Sequence, residues 1–105
     1  MTVQEIIDCI KENTASFDPS TYDDVLIVQV TLSDLGEVFY TEIQDGKFNI
    51  EVGENPDSQA NLIISSSDYM DMINRRLDSV KAYMLGKLKI EGDMAKAKEI
   101  GEIFG

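Results

Sequence analysis

The chain has 105 residues, 43 % of them hydrophobic and 28 % charged, which is the size and composition of one folded domain. Nine basic against twenty acidic residues give a formal net charge of −11, which repels a phosphate backbone and excludes a generic nucleic-acid binder. The absence of His removes an imidazole base, and a lone Cys9 removes an intramolecular disulfide and a Cys-cluster zinc site.

One cysteine fits a reducing compartment, so a cytoplasmic location is expected. No apolar run approaches the ~20 residues of a membrane span. Met1-Thr2-Val3-Gln4-Glu5 has no basic stretch, so no signal peptide is expected. The ending Ile103-Phe104-Gly105 differs from a peroxisomal Ser-Lys-Leu address. The charge is also uneven. Residues 1–74 carry two basic and fifteen acidic side chains, and residues 75–105 carry seven basic and five acidic.

Thr2-Val3-Gln4-Glu5 has the form of a capping box, and Val3, Ile6, Ile7 and Ile10 follow at helical spacing. Asp18-Pro19-Ser20 ends that region, because proline disfavours helix at the residue before it. Residues 25–32 are rich in β-branched side chains and place Leu26, Val28, Val30 and Leu32 on one face of a strand. After the turn at Ser33-Asp34-Leu35-Gly36, residues 37–44 place Phe39, Thr41 and Ile43 together. Asp45-Gly46 predicts a tight hairpin, since these residues accept the positive φ of a type I′ turn. Residues 47–52 alternate with Phe48, Ile50 and Val52 inward, completing an antiparallel meander with one wet face.

A loop over 53–58 leads to a fourth strand, residues 60–64. Ser65-Ser66-Ser67-Asp68 then offers several caps for a helix carrying Tyr69, Met72, Ile73 and Leu77. Asp78-Ser79 caps a short helix expected to turn Val80, Tyr83 and Met84 inward, and Gly86 ends it. Residues 87–91 alternate as a fifth strand. After Gly92 and the cap Asp93, residues 94–104 form a terminal helix with Met94, Ala97, Ile100, Gly101 and Phe104 along one side. The order is α-β-β-β-β-α-α-β-α. Hairpin-linked strands with helices grouped on one side describe an α+β layer in a single unit over residues 1–105.

Few residues offer chemistry. The twenty carboxylates fall at polar faces, caps and turns, where solvation explains them better than a paired catalytic acid and base. Asp18, Asp23 and Asp24 lack the frame of a calcium loop. Cys9 borders the first apolar stripe and reads as structural, with no His to activate it. The three serines lack a nucleophile-elbow frame, and Gly86-Lys87 and Gly92-Asp93 lack the spacing of a phosphate loop. No catalytic residue, metal or cofactor is implied. Met70, Met72, Met84 and Met94 fall within 25 residues. Methionine fills ordinary cores and also suits walls that adapt to apolar ligands, and the pattern alone leaves both readings open.

Three segments resemble the sterol carrier protein 2 domain family. Residues 38–47, VFYTEIQDGK, are similar to its aromatic strand ending in Asp-Gly-Lys. Residues 60–69, ANLIISSSDY, are similar to its strand leading into a capped helix. Residues 82–95, AYMLGKLKIEGDMA, resemble its most specific line, Gly-Lys-Leu-Lys-Ile-x-Gly-Asp. Two positions depart. Asn61 stands where Asp is common, which suggests an altered hydrogen bond. Asn74-Arg75-Arg76 stands where a glycine turn is common, which suggests a longer helix or a reshaped pocket mouth.

The resemblance implies a five-stranded, mostly antiparallel sheet covered by helices, with an apolar tunnel between them for a fatty acid, fatty acyl-CoA or sterol-like molecule. It implies a carrier, not an enzyme. The tunnel lining expected from it is Phe39, Ile43, Ile73, Met84, Leu85, Ile100, Ile103 and Phe104; Arg75, Arg76, Lys87 and Lys89 are the nearest candidates to meet an anionic headgroup, although surface solvation explains each of them better. Burying about twelve methylenes at ~0.8 kcal/mol each gives roughly 10 kcal/mol, reduced by the cost of association. A pocket of ~300 Å³ or more is needed, with the terminal helix as the expected lid and Gly92 and Gly101 easing its movement. The alternative is an accessory domain that uses the groove to dock on a partner enzyme. Membrane contact is expected to be transient, through residues 75–98.

Overall fold

The computed structural model describes residues 1–104, the side chain of Phe104 excepted. Helix α1 (Val3–Asn13) starts on the predicted cap, with the Thr2 hydroxyl accepting from the Glu5 N–H at 3.2 Å. Its buried stripe is Ile6, Ile7 and Ile10. A single 3-10 turn over Pro19–Thr21, capped by Asp18, leads into the sheet.

The strands are β1 (Leu26–Leu32), β2 (Glu37–Gln44), β3 (Lys47–Val52), β4 (Ala60–Ile64) and β5 (Leu88–Gly92). Between β4 and β5 lie α2 (Ser66–Ile73) and α3 (Ser79–Met84), and α4 (Met94–Phe104) follows β5. The order across the sheet is β3-β2-β1-β4-β5. Three neighbouring pairs are antiparallel, and β1–β4 is parallel, with Val28 opposite Ala60 and Leu32 opposite Ile64. The sheet is therefore mixed.

The parallel pair requires the chain to travel from the β3 edge past β2 and β1. Residues 53–59 make that crossing over the face opposite the helices. The Asn55 N–H donates to Gln29 Oε1 at 3.1 Å, and Gln59 exchanges bonds with both the N–H and the C=O of Ile27. The face expected to be wet is thus partly covered, and Ile27 is buried there. Asn61 lies on the same side. Its Oδ1 accepts from Thr31 at 3.0 Å and its Nδ2 donates to Glu91 at 3.1 Å, a bridge from β1 to β5 that a carboxylate could not make.

The helix-side face holds the core: Leu26, Val28, Val30 and Leu32 from β1, Phe39 and Ile43 from β2, and Leu62 and Ile64 from β4. Phe39 meets Tyr69 of α2 edge to face, with centroids 5.9 Å apart. Two inward assignments need correction. In β3, Phe48 and Ile50 are half-buried and Val52 is exposed, because β3 is the sheet edge; Phe48 packs instead on Phe17. In α3 the buried residue is Ala82, and Val80, Tyr83 and Met84 are exposed. A small side chain lets this short helix sit close to β5, which turns its larger residues outward. The helix α2 is not lengthened either. It ends at Ile73, and Arg75 takes a left-handed φ of 61°, the conformation a glycine would supply.

No helix among the described residues is long and apolar enough to cross a membrane.

Candidate functional site

An apolar recess of about 220 Å³ opens between the β4–β5 half of the sheet and the helices above it. Leu62, Leu88 and Ile90 form its floor. They share a face because Leu62 pairs with Ile90 and Ile64 with Leu88 across the β4–β5 ladder. Met72 of α2, Val80 and Tyr83 of α3, and Met94 and Ala97 of α4 form its walls. A smaller hollow of about 60 Å³ adjoins it, lined by Tyr69, Ile73, Leu77 and Ile100. The two share Leu62, Met72, Ser79 and Gly101.

Gly101 stands at that junction. A Cβ built there would come within 3.9 Å of the Ser79 hydroxyl, an ordinary contact, so the missing side chain leaves room between the two hollows. Lys98 lines the larger recess and forms no ion pair among the described residues. Asp78 and Ser79 line the smaller one, where the Asp78 carboxylate also caps α3 by accepting from the Lys81 N–H at 3.0 Å. Burial pushes the Tyr69 phenol well up, so it stays neutral. The larger hollow thus carries a cation in its lining and the smaller one a carboxylate.

The expected lining residues divide. Ile73 and Ile100 stand on the wall of the smaller hollow. Phe39 and Ile43 are fully buried in the core and line neither hollow, Phe39 lying behind the Tyr69 ring. Met84 and Leu85 project to solvent, 79 % and 58 % exposed. Ile103 packs partly buried against the core edge, and the Phe104 side chain lies outside the described residues. Of the four expected cations, none lines either hollow. Arg75 and Arg76 are exposed on the α2–α3 turn, with Arg76 4.0 Å from Asp71, and Lys87 and Lys89 are exposed beside β5. Sequence reasoning missed Leu62, Leu88 and Ile90 as a floor and Lys98 as the cation at the rim. The alternation of residues 87–91 carried the first signal, and the turn of α4 one position past Ala97 carried the second.

A wider groove of about 320 Å³ lies among Tyr22, Asp23, Asp24 and Asp45, beside α4. It is open and acidic and offers nothing to an apolar chain. Cys9 bridges α1 to the end of α2, with its thiol 3.7 Å from Asn74 Oδ1, and burial followed by the nearby Glu12 pushes its pKa up, as suits a structural thiol. Among the described residues no group of three His, Cys, Asp or Glu is placed to hold a metal ion.

Comparison with known proteins gives a consistent picture. The profile of the SCP-2 sterol transfer family matches residues 25–105. The chain is 33 % identical over 69 residues to hydroxysteroid dehydrogenase-like protein 2 of Xenopus tropicalis, covering 64 % of this chain and 16 % of that protein. It is 35 % identical over 52 residues to the oleate-induced peroxisomal protein POX18 of Candida maltosa, covering 50 % of this chain and 41 % of that one. The chain thus spans less than half the length of these curated relatives. Its fold superposes on the solution structure of palmitated SCP2L2 from Aedes aegypti with a TM-score of 0.77 and 20 % identity, over 99 % of this chain and 95 % of that one.

Proposed function

Since the chain belongs to the SCP-2 sterol transfer family, we propose that it is a non-catalytic carrier that holds the apolar chain of a fatty acid, fatty acyl-CoA or sterol-like molecule between β4–β5 and the helices α2, α3 and α4. The observation that carries this reading is the recess itself: an aliphatic floor, methionine walls and one unpaired lysine at its rim. The relative of the same fold described as palmitated supports a single acyl chain as cargo. Residues 1–105 act as one lipid-binding unit, and the expected location is the cytoplasm.

The recess of about 220 Å³ is below the roughly 300 Å³ at which small-molecule pockets begin, so loading requires a helix to yield. The helix α3 is the weaker cover, because it buries Ala82 alone. The terminal helix, the lid expected from chain position, is the better anchored of the two.

Titration with a fluorescent fatty acid tests the reading. Saturable binding at micromolar ligand is expected, and native mass spectrometry should find a co-purified lipid by mass. Gly101→Leu should keep the fold, since glycine in a helix interior costs about 1 kcal/mol relative to better helix formers. It should lower fatty-acid affinity at least tenfold by filling the junction. Absence of saturable binding at tens of micromolar ligand refutes the carrier reading.

A second reading follows from the match to a stretch of hydroxysteroid dehydrogenase-like protein 2 that is 16 % of that protein. The same unit can serve as an accessory domain docked on a partner enzyme. Co-purification of a stoichiometric protein partner, with no lipid bound, favours this alternative.

A further inference from the structure

We propose that the tip formed by α3 and the turn after it is a docking surface for an anionic lipid bilayer, set beside the mouth of the recess; this rests on the carrier reading above.

Four apolar side chains on six consecutive residues face solvent here. Val80 is 58 % exposed, Tyr83 48 %, Met84 79 % and Leu85 58 %. A surface helix ordinarily turns such residues toward the core. Here α3 turns only Ala82 inward and ends at Gly86, whose φ of 77° reverses the chain. Met94 of α4, also half-exposed, extends the patch along the recess. Single exposed apolar residues are ordinary, but a cluster on one turn marks a contact surface.

The charge around the cluster selects the partner. Lys81 on α3 and Lys87 just after Gly86 are exposed, and neither joins an ion pair among the described residues. Residues 79–88 carry these two lysines and no acidic side chain, in a chain whose net charge is −11, and the flanking Asp78 is engaged as the cap of α3. A second copy would bring lysines against lysines and add to the overall repulsion. An anionic bilayer matches both features. Methionine, leucine and valine enter the headgroup–acyl boundary, the tyrosine ring lies at headgroup depth, and the lysines meet the phosphates. Val80 and Tyr83 belong to both the tip and the recess wall. A lipid leaving the bilayer there would enter the recess without crossing open water.

Vesicle flotation provides the test, using phosphatidylcholine with about a quarter phosphatidylglycerol at low salt. The protein should float with these vesicles, and binding should fall as salt is added. Replacing Lys81 and Lys87 together by Gln should weaken binding by about fivefold per lysine. The pair Met84→Ser and Leu85→Ser should weaken it at least tenfold while fatty-acid titration without vesicles stays as in the wild type. No flotation at low salt overturns the proposal. So does loss of binding in the lysine variant with the Met84/Leu85 variant unaffected, because charge attraction alone would explain it. Equal affinity for soluble polyglutamate at the same ionic strength would assign the surface to an acidic protein and overturn the bilayer. Saturable fatty-acid binding with no flotation leaves the carrier reading standing; flotation with no fatty-acid binding refutes the carrier reading alone.

Discussion

Gly92 sets how closely β5 approaches the start of β4. Its φ is +89°, and a Cβ there would lie 2.6 Å from the carbonyl oxygen of Gln59. That oxygen accepts from the Asp93 N–H at 2.9 Å, so the backbone cannot retreat without losing the bond that leads into α4. Gly92→Ala should therefore cost about 2 kcal/mol or more, read as a lower urea midpoint with an unchanged slope. Single residues differ in how openly the sequence declares them. Asp45-Gly46 announced its turn, and the structure gives both residues positive φ, 54° and 73°. The serine run was ambiguous because three neighbours could cap equally well. Ser65 takes the cap, and Ser66 is claimed by Asp34, which accepts from its N–H at 2.8 Å and its hydroxyl at 2.6 Å. That choice depends on a residue 32 positions away, which no local pattern contains.

Among the elements, α4 is tied down and α3 is not. The Lys96 ammonium lies 3.1 Å from Asp24 and 3.9 Å from Glu99, and the Tyr22 hydroxyl donates to Glu99. These bonds fasten the first half of α4 to the segment before β1. Burial, then the bond to Glu99, holds the Tyr22 phenol up to about 12. The sign follows from the raised value: the neutral phenol is the stabilised form, so its contribution is complete below pH 10 and is lost as pH rises through about 12. Tyr22→Phe should speed amide exchange along α4 at neutral pH and cost of order 1 kcal/mol. The variant should also lose less stability than the wild type as pH rises over that range, the remainder coming from Tyr69. All five strands and four helices were legible, because each has clear periodicity and chain punctuation. The facing of α3 was not. Val80, Tyr83 and Met84 have a helical spacing that fits inward or outward equally, and Ala82 decides it through its distance to β5.

At the scale of the molecule, the charge division in the sequence becomes a division of surface roles. The meander and its loops are acidic, and the α3 tip is basic. Salt should act on these in opposite directions. Raising NaCl from about 10 to about 300 mM screens the self-repulsion of a −11 chain and should raise the thermal midpoint by a few degrees. The same change should weaken vesicle binding. A midpoint that falls with salt would mean that the Asp24–Lys96 and Asp71–Arg76 pairs outweigh the net repulsion. The recess was only partly legible at this scale. Its floor needs β5 to pair with β4, and that pairing spans two intervening helices. Ile73 and Ile100 could be placed from helical spacing, whereas Phe39 and Ile43 share their apolar character and lie in the sealed core instead.

The parallel pairing of β1 with β4 also orders the assembly of the chain. The β1–β2–β3 meander closes through short turns, at small entropic cost. β4 reaches β1 only by way of residues 53–59, which cross the sheet from its β3 edge, so the β1–β4 ladder rests on less local contacts than the hairpins do. The half of the molecule that forms the recess is therefore expected to fold onto a template made by the other half, read as later amide protection of β4 and β5 than of β1, β2 and β3 in pulse-labelled exchange. On that order any cargo held there is enclosed by the last part of the chain to find its place.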